Sequence, residues 1–338
     1  MVCRRAKTSM KITQKDIAAK LGVSTSLVSR VLSGQAHKIG VHPSKIEEIL
    51  RVAKEMNYVP SPAALALRGK KSNTIGIVAY DFNSPFFSQL ISELQELSHI
   101  NNYSLLLVGF LNRTPNTADL LPLYKHFVDG IIILGSFGDL SWTDAFGEIP
   151  IARIGHGEHG NLNFSVSIDE RDAMSKIFRY VVKDLKETDA VFAMRDIPAH
   201  VLRRDAALAA AEKFGCRLKV MTAPTADKEF LCGSNIAKKI LSEKKPLPRI
   251  IVCATDTIAM GITKKFSEND VHVPRDVAII GFDDIPEASN YIPSITSFRQ
   301  PVKEYARLAF DAVINNYNAP QKTKLLEGDL LIRRSTLP

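Results

Sequence analysis

The pattern of apolar and polar positions near the N-terminus predicts two short helices around a tight turn. Between Ile12 and Gly34, apolar residues recur at helical spacing, on one face of each helix: Ile17, Ala18 and Leu21 in the first, then Val28, Val31 and Leu32 in the second. Gly22 and Val23 form the turn, and Ser24 is suited to cap the second helix.

The outward face of the second helix is short, polar and basic. It carries Thr25, Ser26, Ser29 and Arg30. Such a helix can enter the major groove of DNA and read base edges from its N-terminal residues. The alternative, a helical hairpin in an ordinary core, does not account for a whole outward face suited to nucleic acid.

A third helix is predicted from about Pro43 to Met56, with an apolar stripe that consists of Ile46, Ile49, Leu50 and Ala53. We therefore expect a helical headpiece over residues 12–59, preceded by a disordered basic arm at residues 1–11. Residues 60–72 combine a helix too short to be stable alone with a basic linker, which is typical of a segment that folds on binding.

From Thr74 onwards the pattern changes to apolar strands that alternate with helices. The predicted strands are Ile75–Ala79, Ser104–Val108, Gly130–Leu134, Ile149–Ile154, Val166–Ile168, Ala190–Ala193, Leu218–Met221, Ile250–Ala254, Val277–Gly281 and a last one over Leu325–Arg333. The predicted helices are Pro85–Ile100, Glu170–Leu185, Ala199–Phe214, Phe230–Leu241 and Asp256–Glu268. This alternation indicates parallel sheets covered on both faces, and the number of strands favours two α/β subdomains with a cleft between them.

Polar and aromatic residues follow several of these strands. Asp256 comes after the strand that ends in Ala254, and Phe282 and Asp283 come after Gly281. Ligands of such folds bind outside the carboxyl ends of the strands. Carboxylates beside aromatic rings suit a polyhydroxylated or heterocyclic small molecule, although each acid taken alone is equally typical of a helix cap.

Charge separates the two parts of the chain. Residues 1–72 hold 14 lysine and arginine residues against 4 acidic ones, whereas the remainder holds 30 against 32. A basic head on a nearly neutral body indicates a part that binds a polyanion. The four cysteines show no metal-ligand spacing, and neither a secretory signal nor a membrane-spanning stretch is evident, so we expect a cytoplasmic, nucleoid-associated protein.

Motifs for chemistry are absent from the sequence. There is no G-x-G-x-x-G after the first strand, no Walker-type loop, no G-x-S-x-G elbow and no H-E-x-x-H. We therefore predict no catalytic residues, no metal and no cofactor. The protein is expected not to be an enzyme.

Seven motifs in order resemble those of the lactose-repressor (LacI/GalR) family of bacterial transcription regulators, over roughly residues 10–335. They are DIAAKLGVSTSLVSRVLSG, YVPSPAALALRGKKSNTIGIV, DFNSPFF, VDGIIIL, ATDTIAMG, VPRDVAIIGFDDIPEA and PSITSFRQPV. The resemblance implies a helix-turn-helix headpiece joined to an α/β effector domain of two parallel-sheet subdomains, similar to periplasmic binding proteins. It places these subdomains at about residues 73–157 with 289–319, and 158–288 with 320–338.

The resemblance also implies roles for individual residues. Base reading falls on Thr25, Ser26 and Arg30, and phosphate contact falls on Thr13 and Ser29. A hinge helix falls on Ser61–Arg68, where Ala64 and Leu67 would contact DNA and Leu67 would wedge into the minor groove. The effector pocket falls on Phe86, Phe87, Arg203, Asp256 and Asp283, and Arg203 could donate a two-pronged hydrogen bond to ligand oxygens.

Some positions depart from the family's pattern. Lys228 stands where certain sugar-binding members carry a stacking tryptophan, and Gly155, next to His156, stands where others have a strand-end carboxylate. The expected function is a dimeric repressor on a palindromic operator, controlled by a small ligand that is sugar-like first and purine-like second. The alternative is a cytosolic α/β small-molecule-binding protein or enzyme whose N-terminal helices serve only as an interaction module.

Overall fold

The apolar faces of three helices pack together to form the headpiece. In the computed structural model, the chain forms two units, residues 1–70 and 71–338. The structure describes residues 12–36, 40–58, 71–79, 82–110, 115–136, 139–157, 162–224, 228–243, 245–315 and 323–337. The headpiece helices are α1 (Gln14–Leu21), α2 (Thr25–Leu32) and α3 (Pro43–Glu55). Their shared core consists of Ile17, Ala18, Val28, Val31, Ala36, Ile49, Val52 and Ala53.

One member of the predicted apolar stripe is misplaced. Leu50 is 47% exposed, whereas Val52 of the same helix is buried. The buried face of α3 is therefore rotated toward Val52, because the helix packs against both α1 and α2 rather than against one neighbour.

The larger unit contains two sheets of six strands each within the part of the chain that the structure describes. The first sheet has the strand order β11-β5-β4-β3-β1-β2, and all its pairs are parallel. Its strands are β1 (Thr74–Ala79), β2 (Ser104–Gly109), β3 (Gly130–Leu134), β4 (Ile151–Ile154), β5 (Phe164–Ile168) and β11 (Thr323–Leu326).

The second sheet has the order β12-β10-β9-β8-β6-β7, and only its edge strand β12 pairs antiparallel among the described strands. Its strands are β6 (Asp189–Arg195), β7 (Arg217–Ala223), β8 (Ile250–Cys253), β9 (Ala278–Asp283), β10 (Thr296–Arg299) and β12 (Asp329–Leu331). The helices of the larger unit are α4 (Pro85–Ile100), α5 (Thr117–Lys125), α6 (Glu170–Arg179), α7 (Pro198–Phe214), α8 (Glu229–Ser242), α9 (Asp256–Ser267), α10 (Pro286–Asn290) and α11 (Val302–Ile314). The predicted fold class is confirmed.

The pairing of the strands corrects the predicted limits of the subdomains. Strands β5 and β11 belong to the first sheet, and β10 belongs to the second, opposite to their predicted places. The chain crosses between the sheets at three points, near Asp169, at residues 300–301 and at residues 327–328. The third crossing also divides the predicted strand Leu325–Arg333 into two short strands, because its halves pair with different sheets.

These crossings matter for any site in the cleft. Glu170 follows the first crossing directly, and Gln300 lies at the second. Side chains at such positions can report a change in the relative pose of the two subdomains. No helix in the described ranges is long and apolar enough to span a membrane.

Candidate functional site

The polar face of α2 is exposed as the sequence predicts. Thr25, Ser26 and Arg30 are exposed, and Ser29 is half-buried. Ser24 caps the helix, since its Oγ accepts a hydrogen bond from the Leu27 backbone N–H at 3.1 Å. The first turn has no acidic residue, so the positive end of the helix dipole is not neutralised locally. This arrangement can accept phosphate and present side chains to base edges.

Thr13 has a second role that the sequence analysis missed. It caps α1: its hydroxyl and its backbone N–H each donate to Asp16 Oδ2 at 2.7 Å. These hydrogen bonds, the one from the Thr13 hydroxyl first, lower the pKa of Asp16. Thr13 remains exposed at the start of the helix, and its predicted phosphate contact stays a prediction. Ala64 and Leu67 lie outside the described residues.

At the carboxyl ends of the strands, Arg203 of α7 forms a buried ion pair with Glu170. Its Nε lies 3.0 Å from Glu170 Oε2 and its Nη2 lies 2.9 Å from Glu170 Oε1. Nη1 donates to the carbonyl of Ala254, and the guanidinium carbon lies 3.5 Å from the centre of the Phe282 ring. The two-pronged hydrogen bond predicted for ligand oxygens is thus made to a carboxylate of the protein itself.

Asp283 lies next to this pair and continues it into a chain of hydrogen bonds. Its Oδ1 is 3.9 Å from Arg203 Nη1 and accepts from Gln300 Nε2 at 2.7 Å. Gln300 Oε1 in turn accepts from the Tyr305 hydroxyl at 3.1 Å. Burial raises the pKa of Asp283 to about 7, although Arg203 counteracts it. The chain therefore links the end of β9 to the second crossing.

Asp256 begins α9, and its predicted contact with the effector stays a prediction. The residue is completely buried, and its Oδ2 accepts from the Ile285 backbone N–H at 2.9 Å. Its Oδ1 packs against Gly281, where an added Cβ would lie only 2.0 Å away. Burial and the nearby Asp283 raise its pKa well above the usual range. Asp256 therefore braces the segment that follows β9.

The contact with Gly281 yields a test of this bracing role. Gly281→Ala should destabilise the larger unit by about 1–3 kcal/mol, since the new methyl group overlaps Asp256. Urea unfolding followed by circular dichroism measures the change. Gly215→Ala is the control for adding a methyl group without a clash, because no atom lies within 4 Å of its added Cβ. Its left-handed backbone, at φ +73°, adds a separate cost in free energy of unfolding. A stable Gly281→Ala protein would show that Asp256 can move away freely.

His156 and Glu170 also line a cavity of about 580 Å³. His156 Nε2 lies 3.5 Å from Glu170 Oε1. Burial raises the pKa of Glu170, but Arg203 and His156 together outweigh this and the net shift is downward. Glu170 is thus a carboxylate held in its ionised form between Arg203 and the cavity.

The predicted aromatic residues lie in the other subdomain. Phe86 and Phe87 begin α4, after the end of β1, and both are half-buried with ring centres 6.0 Å apart. Phe87 also packs closely against Gly135, which follows β3. They form an apolar surface at the carboxyl ends of the first sheet, in keeping with a flat ligand face.

Sequence reasoning missed Glu170, Gln300 and Tyr305. Glu170 carried a detectable signal, because it follows a buried strand in the same way as Asp256 and Asp283 do. Gln300 and Tyr305 carried no such signal, because neither follows a predicted strand. Their hydrogen bonds depend on where the chain crosses between the sheets.

Comparisons with known proteins agree with this geometry. Residues 13–61 match the family described as bacterial regulatory proteins, lacI family, and residues 182–336 match the periplasmic binding protein-like domain. The ribose operon repressor of Escherichia coli strain K12 is 27% identical over 350 residues, covering 96% of this chain and 99% of the relative. The HTH-type transcriptional repressor CytR of the same strain is 26% identical over 346 residues, covering 98% of each.

Solved structures show the same fold. The lac repressor bound to ONPG in the repressed state superposes with a TM-score of 0.81 at 21% identity, covering 96% of this chain and 99% of that one. The lac repressor dimer bound to operator and the anti-inducer ONPF gives a TM-score of 0.77 at 22% identity, covering 97% and 99%. These curated relatives are transcriptional regulators and not enzymes.

Proposed function

Since the chain belongs to the lacI family of bacterial regulatory proteins, we propose that it is a sequence-specific DNA-binding repressor controlled by a small molecule. The observation that carries the proposal is the exposed polar and basic face of α2, with Thr25, Ser26 and Arg30 free to meet DNA. The basic headpiece segment adds attraction to phosphates. Such a regulator acts in the cytoplasm, on the nucleoid.

We infer a homodimer on a palindromic operator from the short length of the recognition helix. One eight-residue recognition helix reads too few base pairs to specify a site, so two copies related by a two-fold axis are needed. In support, the edge strand β2 exposes Leu107, and Ile100 at the end of α4 is 66% exposed. Apolar side chains of this size on an edge suit contact with a second copy.

The connection between effector and DNA is proposed to run through the hinge. We place a helix over Ser61–Arg68 that forms on the operator, with Ala64 and Leu67 against the minor groove. A wedge at Leu67 costs a few kcal/mol of base unstacking, which the contacts of bent DNA offset. An effector that favours one pose of the subdomains would form or melt this helix.

The effector is proposed to be a sugar or a sugar derivative, with a purine-like compound second. The name of the ribose operon repressor supports the first choice, and the half-buried Phe86 and Phe87 suit the flat face of either class. Asp283 and Arg203 lie at the strand ends where such a ligand binds, although Arg203 is already paired.

The test is DNA binding itself. Fragments selected from genomic DNA by the purified protein should bind in fluorescence anisotropy with an affinity that falls steeply as salt rises. Arg30→Ala should cost about 1–3 kcal/mol on the selected fragment and much less on random DNA, because a base contact is lost.

Lys54→Ala, which removes an exposed charge from the last turn of α3, is the matched control and should leave the preference for the selected fragment unchanged. If Arg30→Ala lowers the affinity for both DNAs equally, Arg30 contacts a phosphate and not a base. Absence of salt-dependent binding would favour the alternative, an α/β binding protein or enzyme with an interaction module.

A further inference from the structure

The guanidinium of Arg203 is a buried positive charge in the site, and its hydrogen-bond donors are already paired with the protein. Its Nε and Nη2 donate to the two oxygens of Glu170 at 3.0 and 2.9 Å, and Nη1 donates to the Ala254 carbonyl. One face of the group stacks on the Phe282 ring. An arginine has five N–H donors in a fixed fork, and this side chain is only 7% exposed. An incoming ligand would therefore meet a guanidinium whose two-pronged hydrogen bond and positive charge are already paired with Glu170.

The other charged groups around Arg203 are mainly acidic. Asp283 lies 3.9 Å from its Nη1, and Glu229 is close enough to raise the pKa of Asp283. His200, which lies 3.7 Å from Glu229, has its pKa lowered well below 6.5 by burial and by Arg203 and Arg195, so it stays neutral at pH 7. An anionic ligand at Arg203 would therefore approach the carboxylates of Glu170 and Asp283. The two cations that line the neighbouring cavity, Arg171 and Lys213, are exposed to solvent.

Among the described residues, Glu170 has no second arginine or lysine within ion-pair distance if it leaves Arg203. Its side chain is 7% exposed, and its other polar neighbour is the imidazole of His156, 3.5 Å away. Displacing a buried carboxylate from its guanidinium is strongly unfavourable, because the charge is left in a medium of low polarity. A ligand that brings only negative charge cannot offset this loss.

We infer that the carboxylate of Glu170 takes the position beside the Arg203 guanidinium that an anionic ligand would need. The cleft is therefore selective for uncharged or positively charged hydroxyl-bearing effectors and against phosphates and carboxylates. This inference rests on the proposed function for its effector and narrows the class of that effector. Carboxyl groups accept hydrogen bonds from hydroxyl and ammonium groups, so the remaining acids suit such ligands. Glu170 follows the first crossing between the sheets, so its pairing also joins α6 to α7 across the site.

The test removes the internal carboxylate and offers a small external one. Glu170→Ala should lower the Tm by about 10 °C, because it leaves Arg203 buried without its partner. Acetate should then raise the Tm of this variant by about 5 °C, whereas chloride at matched ionic strength and neutral acetamide should not. Wild-type protein should show no specific response to acetate, since Glu170 fills the place.

Glu187→Ala is the matched control, because Glu187 pairs with the exposed Arg249 at 3.5 Å and its loss leaves no buried charge. Acetate should have no specific effect on its Tm. If Glu170→Ala does not fold even in acetate, Glu170→Gln decides: it fills the same place without the charge, so it should fold with a Tm below that of the wild type and show no specific response to acetate. A Glu170→Ala protein that folds but ignores acetate, a Glu170→Gln protein as stable as the wild type, or a wild-type protein that responds to acetate as strongly as Glu170→Ala would overturn the inference.

A panel of matched ligands tests selectivity in the unmodified protein. Ribose, glucose and adenosine are each compared with their phosphate esters, and glucosamine is compared with gluconate, all by thermal shift on wild-type protein. No anionic member should stabilise the protein more than its partner does, and one that did would refute the selectivity. Operator binding is measured separately, so failure of the DNA test would leave these Tm results standing, and the reverse also holds.

Discussion

Replacing Arg203 with alanine should lower the free energy of unfolding by about 3–5 kcal/mol, because Glu170 is then left buried without its partner. The reason lies in the distances: both oxygens of Glu170 are within 3.0 Å of the guanidinium, and Asp283 Oδ1 is 3.9 Å from it. Urea unfolding at pH 7 measures the loss. We expect the variant to fold, with a lower midpoint and an unchanged denaturant slope.

The neighbouring Arg204 provides the matched control. It pairs with the exposed Asp205 at 2.7 Å, and an exposed ion pair contributes only about 0–1 kcal/mol. The double variant Glu170→Gln, Arg203→Met should be more stable than Arg203→Ala, since it removes both charges and keeps much of the volume. If Arg203→Ala and Arg204→Ala lower the free energy of unfolding by the same amount, the buried ion pair does not stabilise the site.

The second large effect is a dependence of stability on pH that arises from Asp283. Burial raises the pKa of this carboxyl to about 7, against an ordinary value of 3.8. A folded state that holds a proton more tightly than the unfolded chain is favoured at low pH. The contribution of Asp283 to stability is therefore complete below about pH 4 and is lost as pH rises to about 7, a change on the order of 4 kcal/mol.

Asp283→Asn isolates this contribution, because asparagine does not titrate and keeps a carbonyl oxygen for Gln300. The free energy of unfolding is measured at several pH values between 4 and 7.5 for both proteins. The wild-type value minus the variant value should fall as pH rises. The charged groups that face Asp283, Glu170, Glu229 and Arg203, are the same in both proteins, and Arg203 stays charged over this range. The lowered pKa of His200 acts in the opposite direction in both proteins, so its contribution cancels in the difference. A constant difference would show that Asp283 remains ionised throughout.

Both predictions concern residues whose importance the sequence showed but whose partners it did not. Arg203 and Asp283 stand at positions to which the family resemblance gives a role, and the structure brings them together. Asp256 was marked equally well, and its carboxylate packs against Gly281 of β9. The two aspartates follow strands in the same way, so a local pattern cannot tell which contacts each one makes.

Most predicted elements of the α/β unit agree with the structure, since each is defined by short-range periodicity. The predicted helix Glu170–Leu185 instead ends as α6 at Arg179 and continues as a π-helical turn over Tyr180–Asp184, and α5, α11 and β10 were not predicted. Helix α4 begins and ends at the predicted residues, and the ends of α7 and α9 differ from prediction by one residue. The headpiece is similar, with Ser24 capping α2 as expected. Leu50 is the exception there, because its exposure depends on where α1 and α2 lie around α3.

Local patterns in the sequence were enough to predict α2 with its polar outward face, the alternation of strands and helices, and the resemblance to the lacI family. Hydrophobic periodicity, caps and ordered motifs are local, and the chain carries them in any arrangement of its parts. The sheet to which β5, β10 and β11 belong, and the pairing of Glu170 with Arg203, became known from the folded arrangement alone. Both depend on contacts between residues far apart in the chain, and a buried charge takes whichever partner the fold brings within reach.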